Sequence, residues 1–261
     1  MRKEEDVTII ISDVHLGTPQ CNKEDFLAFV RALHRDPPGE LVIAGDLLDF
    51  WRKTNSDVLL DNAEILRLLF SLPCRIVYVI GNHDFLIGEI AENCGGKFGR
   101  VRFHKGYWFQ SGDKDVFVTH GYEIDVQATM EGLGLDAYEA FATAQCRANN
   151  ILGGIASVLW DVVTGAGKAA RILINLGKHT NAEYDAVYKT AYSGTAHLLC
   201  GAQPDDLLVF GHTHWPSINK AGTIANTGSW CTEDGIPRHN SYVKLTNGKM
   251  KLKYFNVAKT I

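Results

Sequence analysis

Three short apolar runs, Val7 to Ile11, Leu41 to Ala44 and Arg75 to Ile80, return at intervals close to the length of one strand plus one helix. Within each run the apolar residues are consecutive, not alternating, which is the pattern of strands covered on both faces of a sheet. Between them, Lys23 to Arg35 places Phe26, Val30 and Leu33 at helical spacing, and Val58 to Leu72 does the same with Leu59, Leu66 and Leu69. The order β-α-β-α-β predicts an α/β fold. Val116 to Thr119 and Leu207 to Phe210 predict two further strands, and alternation on either side of Asn247-Gly248 predicts a hairpin with a primed turn.

The polar residues of interest follow these strands directly: Asp13-Val14-His15, Gly45-Asp46-Leu47-Leu48-Asp49, Gly81-Asn82-His83-Asp84, His120-Gly121 and Gly211-His212-Thr213-His214. Asp13 to Asp46 is 33 positions, Asp46 to Asn82 is 36 and Asn82 to His120 is 38. Loops that follow parallel strands leave the sheet at one edge, so these residues are expected to converge. The next interval, His120 to His212, is 92 positions and contains an insertion at about 125–200 that is rich in alanine and helical patterns. The whole chain is therefore expected to be one domain over 1–261 carrying that insertion.

Taken singly, each motif has a bland reading: Asp-x-His fits a capped turn, and Gly-Asn-His-Asp fits a turn that needs positive φ. Five of them directly after strands have no common structural cause, because a buried histidine is costly unless it is bonded or a ligand. Asp13, His15, Asp46, Asn82, His120, His212 and His214 offer carboxylate, amide and imidazole donors, a set suited to borderline-hard divalent ions. With one carboxylate shared, seven residues give two ions four ligands each and leave positions open, which describes a catalytic site. The shared carboxylate is expected to present one oxygen to each ion.

Lys plus Arg number 26 against 30 Asp plus Glu, for a net charge of −4, and no basic run would follow a nucleic-acid backbone, so nucleic acid is not an expected partner. The six cysteines are scattered without a CxxC pair, which predicts reduced thiols and a reducing compartment. The apolar run after MRKEED is too short for a signal peptide, and Ile151 to Leu176 is broken by Asp161, Lys168 and Arg171, so neither export nor a transmembrane segment is expected.

The set D-x-H, G-D-x-x-D, G-N-H-D, H and G-H-T-H resembles the calcineurin-like metallophosphoesterase superfamily, a β-sheet sandwich flanked by helices. ISDVHLG, AGDLLDFW, GNHDFLIG, THGYEID, GHTHWP and the insertion are similar to UDP-2,3-diacylglucosamine hydrolases and their relatives. The resemblance implies one ion on Asp13, His15, Asp46 and His214 and the other on Asp46, Asn82, His120 and His212, with manganese first and iron, zinc or magnesium as alternatives. It also implies that His83, oriented by Asp49, protonates the leaving oxygen. For Asp49 the residues leave a second reading open, an N-cap before a helix beginning near Trp51. Asp125 is expected to cap the first helix of the insertion, and His34, His104, His179, His197 and His239 to be surface or structural residues.

The function so implied is hydrolysis of a phosphodiester or pyrophosphate bond, in UDP-2,3-diacylglucosamine or a related nucleotide-linked or lipid substrate. Alternatives are a broad-specificity small-molecule phosphodiesterase or phosphatase, and a non-catalytic metal-binding scaffold. The expected setting is cytoplasmic, with peripheral contact at the inner face of the membrane as an alternative. The insertion reads either as a self-packed helical subdomain or dimer contact, or as a lid whose Ile151 to Leu176 forms an apolar groove with Lys168 and Arg171 beside it.

Overall fold

The computed structural model describes residues 7–130, 132, 134–147, 181–233 and 238–256. A seven-stranded sheet runs in the order β12-β11-β1-β2-β3-β5-β4. Its members are β1 (Val7–Ile11), β2 (Glu40–Ala44), β3 (Arg75–Val79), β4 (Lys97–Phe98), β5 (Val101–His104), β11 (Ser241–Thr246) and β12 (Lys249–Tyr254). A five-stranded sheet, β6-β7-β8-β10-β9, is built from β6 (Tyr107–Ser111), β7 (Lys114–Val118), β8 (Leu207–Phe210), β9 (Ser217–Ile218) and β10 (Ile224–Asn226). The two pack face to face, with Ile10, Val42, Val77 and Val79 meeting Val116, Val118, Leu207 and Val209 in a buried layer. The opposite face of the first sheet is covered by α1 (Lys23–Arg35), α2 (Asn55–Asp61) and α3 (Ala63–Phe70), through Phe26, Val30, Val58, Ile65 and Leu69 packed on Ile9, Ile11, Leu41 and Ile43. Burial on both faces explains the unbroken apolar runs, each such side chain contributing about 1.5–3 kcal/mol.

After α4 (Leu86–Asn93), the insertion contributes α5 (Tyr122–Thr129), α6 (residues 135–147), α7 (Asn181–Tyr192) and α8 (Thr195–Leu199). Ile124, Val187, Ala191 and Ala196 cover the outer face of the second sheet on Leu208 and Phe210. The expected groove over Ile151 to Leu176, with Lys168 and Arg171, and also His179, lie outside the described residues. No helix among the described residues is long and apolar enough to cross a membrane. All six cysteines are free thiols.

Some elements differ from expectation. The helix expected over Val58 to Leu72 breaks at Asn62, whose side-chain amide donates to the Val58 carbonyl at 2.7 Å and so competes with helix continuation. The break turns Leu59 outward to 41% exposure, while Val58 and Ile65 join the expected Leu69 in facing the core. No helix starts near Trp51: α2 begins at Asn55, capped by Thr54, which accepts the Asp57 N–H. The hairpin turn is as expected, with Asn247 and Gly248 at φ 48° and 71°.

Candidate metal centre

β1, β2 and β3 run parallel in one sheet and β7 and β8 run parallel in the other, and the five motifs leave their ends at one rim of the sandwich. The backbone there is bent sharply. Asp13, His15, Asp46, His212 and His214 have φ of 51°, 50°, 53°, 66° and 60°, and only Asn240 and Asn247 share that region among the other described non-glycine residues. Such conformations cost of order 1–3 kcal/mol each and persist where the surroundings impose them. Here the loops bond one another, Asp13 N–H to Gly45 O at 3.1 Å, His15 N–H to Asp46 O at 2.9 Å and Gly211 N–H to His120 O at 2.8 Å. Two glycines allow the approach: a Cβ on Gly81 would lie 2.1 Å from Asp46 Oδ1, and one on Gly211 would lie 2.2 Å from Ser12 Oγ.

The seven expected donors are brought together, and they fall into two neighbouring sets. Asp13 Oδ1 lies 3.3 Å from His214 Nε2 and 3.8 Å from His15 Nε2, and those two nitrogens are 3.0 Å apart. On the other side, Asn82 Oδ1 lies 3.0 Å from His120 Nε2 and 3.1 Å from His212 Nδ1. Asp46 stands between them, with Oδ2 at 3.2 Å from His120 Nε2 and 3.7 Å from His15 Nε2. Its Oδ1 is occupied by the His83 N–H at 2.8 Å, so a single oxygen faces both sets, in place of the expected one oxygen for each.

Each of the four histidines is held by one ring nitrogen and turns the other inward. His15 Nδ1 meets Asp49 Oδ2 at 3.2 Å, His120 Nδ1 meets Ala44 O at 2.7 Å, His212 Nε2 meets Asp125 Oδ2 at 2.8 Å and His214 Nδ1 meets Glu233 Oε1 at 2.5 Å. An outer acceptor of this kind fixes tautomer and ring orientation and leaves the inner nitrogen with a lone pair for a cation. Asp125 is therefore no N-cap: it lies inside α5, which begins at Tyr122, and its buried carboxylate faces His212. The role of Glu233 carried no sequence signal, and Asp125, which closes THGYEID, was expected only to cap a helix. Ser12 and Thr227 support the centre as well: Ser12 Oγ bonds both Thr227 and Asp13 Oδ2, and Trp230 N–H donates to Asp13 O at 3.0 Å.

His83 is placed differently from the other four. Its Nδ1 meets Asp49 Oδ2 at 3.1 Å, its ring stacks on Trp51 at 4.1 Å, and its Nε2 has no hydrogen-bond partner among the described residues. Asp49 bonds His83 as the first reading requires, and the helix of the second does not form. Oδ2 receives His83 and His15, while Oδ1 accepts the N–H groups of Trp51 and Arg52 at 3.1 and 3.0 Å in a turn that does not continue as a helix. Beneath this loop, Cys146 of α6 directs its thiol to the His83 carbonyl at 3.4 Å. Asp84 ties the neighbouring motifs together, accepting Leu47 N–H at 2.9 Å, Gly81 N–H at 2.8 Å and the Tyr78 hydroxyl at 2.5 Å.

Several carboxylates and imidazoles of the centre favour one another's charged forms despite burial. Burial opposes ionisation of Asp46 and Asp49, yet the imidazoles of His120 and His83 beside Asp46, and of His83 and His15 beside Asp49, hold both carboxyls below their usual range. Burial likewise opposes charge on His120 and His214, and Asp46 and Asp13 respectively outweigh it, raising both to about 10. Burial and the Asp46 charge push Asp84 up to about 6. Asp13 Oδ1 is buried without a hydrogen-bond partner and is aimed into the gap between the histidines. An orphaned carboxylate oxygen among inward imidazole nitrogens fits divalent cations, and the oxygen and nitrogen donors suit ions such as manganese, iron or zinc.

This fold and donor set define a metallophosphoesterase: the calcineurin-like phosphoesterase model matches residues 7–216, and the chain belongs to that family. Among curated proteins it is similar to the UDP-2,3-diacylglucosamine hydrolase of Tolumonas auensis, 33% identical over 92 residues that cover 33% of this chain and 37% of that protein. The same-named protein of Aeromonas salmonicida is 35% identical over 86 residues, covering 31% and 33%. The chain thus spans about a third of the length of the curated relatives it matches. A dimetal phosphatase structure from Danio rerio aligns with a TM-score of 0.46 at 11% identity, over 96% of this chain and 99% of that one.

Proposed function

We propose that the protein is a dinuclear metal-dependent phosphoesterase that hydrolyses a phosphodiester or pyrophosphate bond. The observation that carries this reading is the set of four histidines, each anchored by an outer acceptor, turned with Asp13, Asp46 and Asn82 to one centre. Asp13, His15, Asp46 and His214 would hold one ion, and Asp46, Asn82, His120 and His212 the other, with manganese the best activator. When bound, two such ions supply Lewis acidity and make water nucleophilic near neutral pH. The chain's own residues do the rest. Asp49 fixes the His83 ring through Nδ1, stacking on Trp51 restrains its rotation, and Nε2 is left to deliver a proton to the leaving oxygen.

The substrate class we infer is a nucleotide-linked pyrophosphate bearing acyl groups, UDP-2,3-diacylglucosamine or a related molecule, supported by the names of the matched relatives and by the helical insertion beside the rim. The insertion at about 125–200 would act as the lid that selects it. The test is a panel with manganese-loaded protein: UDP-2,3-diacylglucosamine, its deacylated counterpart and a small aryl phosphodiester. A preference of at least a hundredfold in kcat/KM for the acylated member is expected, since four buried methylenes are worth about 3 kcal/mol. A ratio near one removes the acyl specificity, and absence of turnover on every phosphoester by folded, loaded protein removes the enzyme reading itself.

A further inference from the structure

At the other end of the first sheet, where β2 and β3 begin, lies a cavity of about 450 Å³ that the proposed reaction does not use. Five-residue strands at about 3.3 Å per residue put it roughly 16 Å from the metal centre. Arg75, Lys97, Arg100 and Arg102 line it, on β3, β4, β5 and the bend between the last two. Lys97, Arg100 and Arg102 are exposed and have no ion-pair partner among the described residues. Among the described residues its one carboxylate is Glu40, buried to 2% exposure, which accepts the Tyr107 hydroxyl at 3.1 Å and faces Arg75 Nε at 3.5 Å. Among the described residues four cations line this concavity against one anion, a local excess of positive charge on a molecule whose net charge is −4.

Like charges gathered in one surface concavity repel one another, and a multiply charged anion relieves that repulsion and is drawn in by the local positive field. Pro73, Ile76 and the Tyr107 ring supply apolar wall between the charges, and the volume falls in the usual range for small-molecule sites. We propose that this cavity is a second ligand site, separate from the metal centre, for a phosphate-bearing molecule of nucleotide size carrying at least two negative charges. Arg100 and Arg102 hold the phosphates, and Tyr107, fixed by Glu40, forms the wall against which the uncharged part rests. The same chemistry is presented by a soluble nucleotide and by a phospholipid headgroup.

The test measures calorimetric binding of ADP to metal-loaded protein at physiological ionic strength, and pelleting with phosphatidylcholine vesicles that contain phosphatidylglycerol. Wild type is compared with R100E/R102E and R100K/R102K. The proposal expects wild type to bind ADP at a site additional to the metal centre, or to pellet with the anionic vesicles. In R100E/R102E that binding weakens at least tenfold, in R100K/R102K most of it remains, and both variants turn over a small aryl phosphodiester as wild type does. Loss confined to ADP assigns a soluble ligand, and loss confined to vesicles assigns a headgroup. Equal binding by wild type and R100E/R102E in both arms, or no binding by wild type beyond the metal centre, overturns the proposal.

Discussion

Asp125 and Glu233 touch no expected ligand position except through a histidine ring, yet His212 and His214 depend on them for orientation. Asp125→Ala and Glu233→Ala are each expected to lower metal affinity by about 10–100-fold, the usual cost of losing an outer partner, with the fold retained. Metal titration followed by elemental analysis reads this out, and unchanged affinity in both variants would show the tethers to be incidental. His83 should behave in the opposite way. His83→Ala is expected to keep its metal and lose about 10²–10⁴ in kcat, less for a nitrophenolate leaving group that needs no proton. An equal loss for good and poor leaving groups would assign His83 to phosphate positioning.

Among the elements, α6 bears on the site through Cys146, whose fully buried thiol lies under the His83 and Asn82 carbonyls. Cys146→Phe should overpack that contact, costing about 1–3 kcal/mol in stability, and should lower kcat by displacing the Asn82-His83 loop. Denaturation midpoints and steady-state kinetics check both, and a destabilised variant with native kcat would separate the helix from the site. The parallel strands and the donors after them were legible because two-sided burial leaves unbroken apolar runs and catalytic donors cluster where such strands end. The strands β5 and β6 were not legible, since Arg102, His104 and Lys105 dilute their pattern and β6 alternates burial beside a partly covered edge. The Asn62 break, too, rests on one side-chain bond that helical periodicity cannot reveal. The tethering roles of Asp125 and Glu233 were not legible for a related reason, as tertiary packing alone brings them to their rings.

For the molecule as a whole, a metal centre seated across the ends of both sheets ties ion occupancy to global stability, because the unfolded chain cannot assemble donors so far apart in sequence. Chelation should lower stability by about 2.7 kcal/mol for each ion that stands at a hundred times its dissociation constant, a fall of roughly 5–10 °C in Tm per ion for a chain of this size. Calorimetry with and without chelator checks it, and coincident transitions would mean that the centre is not loaded or not coupled to folding. The order of strands has a consequence for time as well as for energy. β1 is hydrogen bonded on one side to β2 and on the other to β11, with Val7 opposite Thr246, so its second edge stays open until a strand 239 positions further along the chain (246 − 7) has been synthesised. Until then a row of unpaired peptide groups faces solvent, which is a template for aggregation, and chaperone holding during synthesis would act on that row.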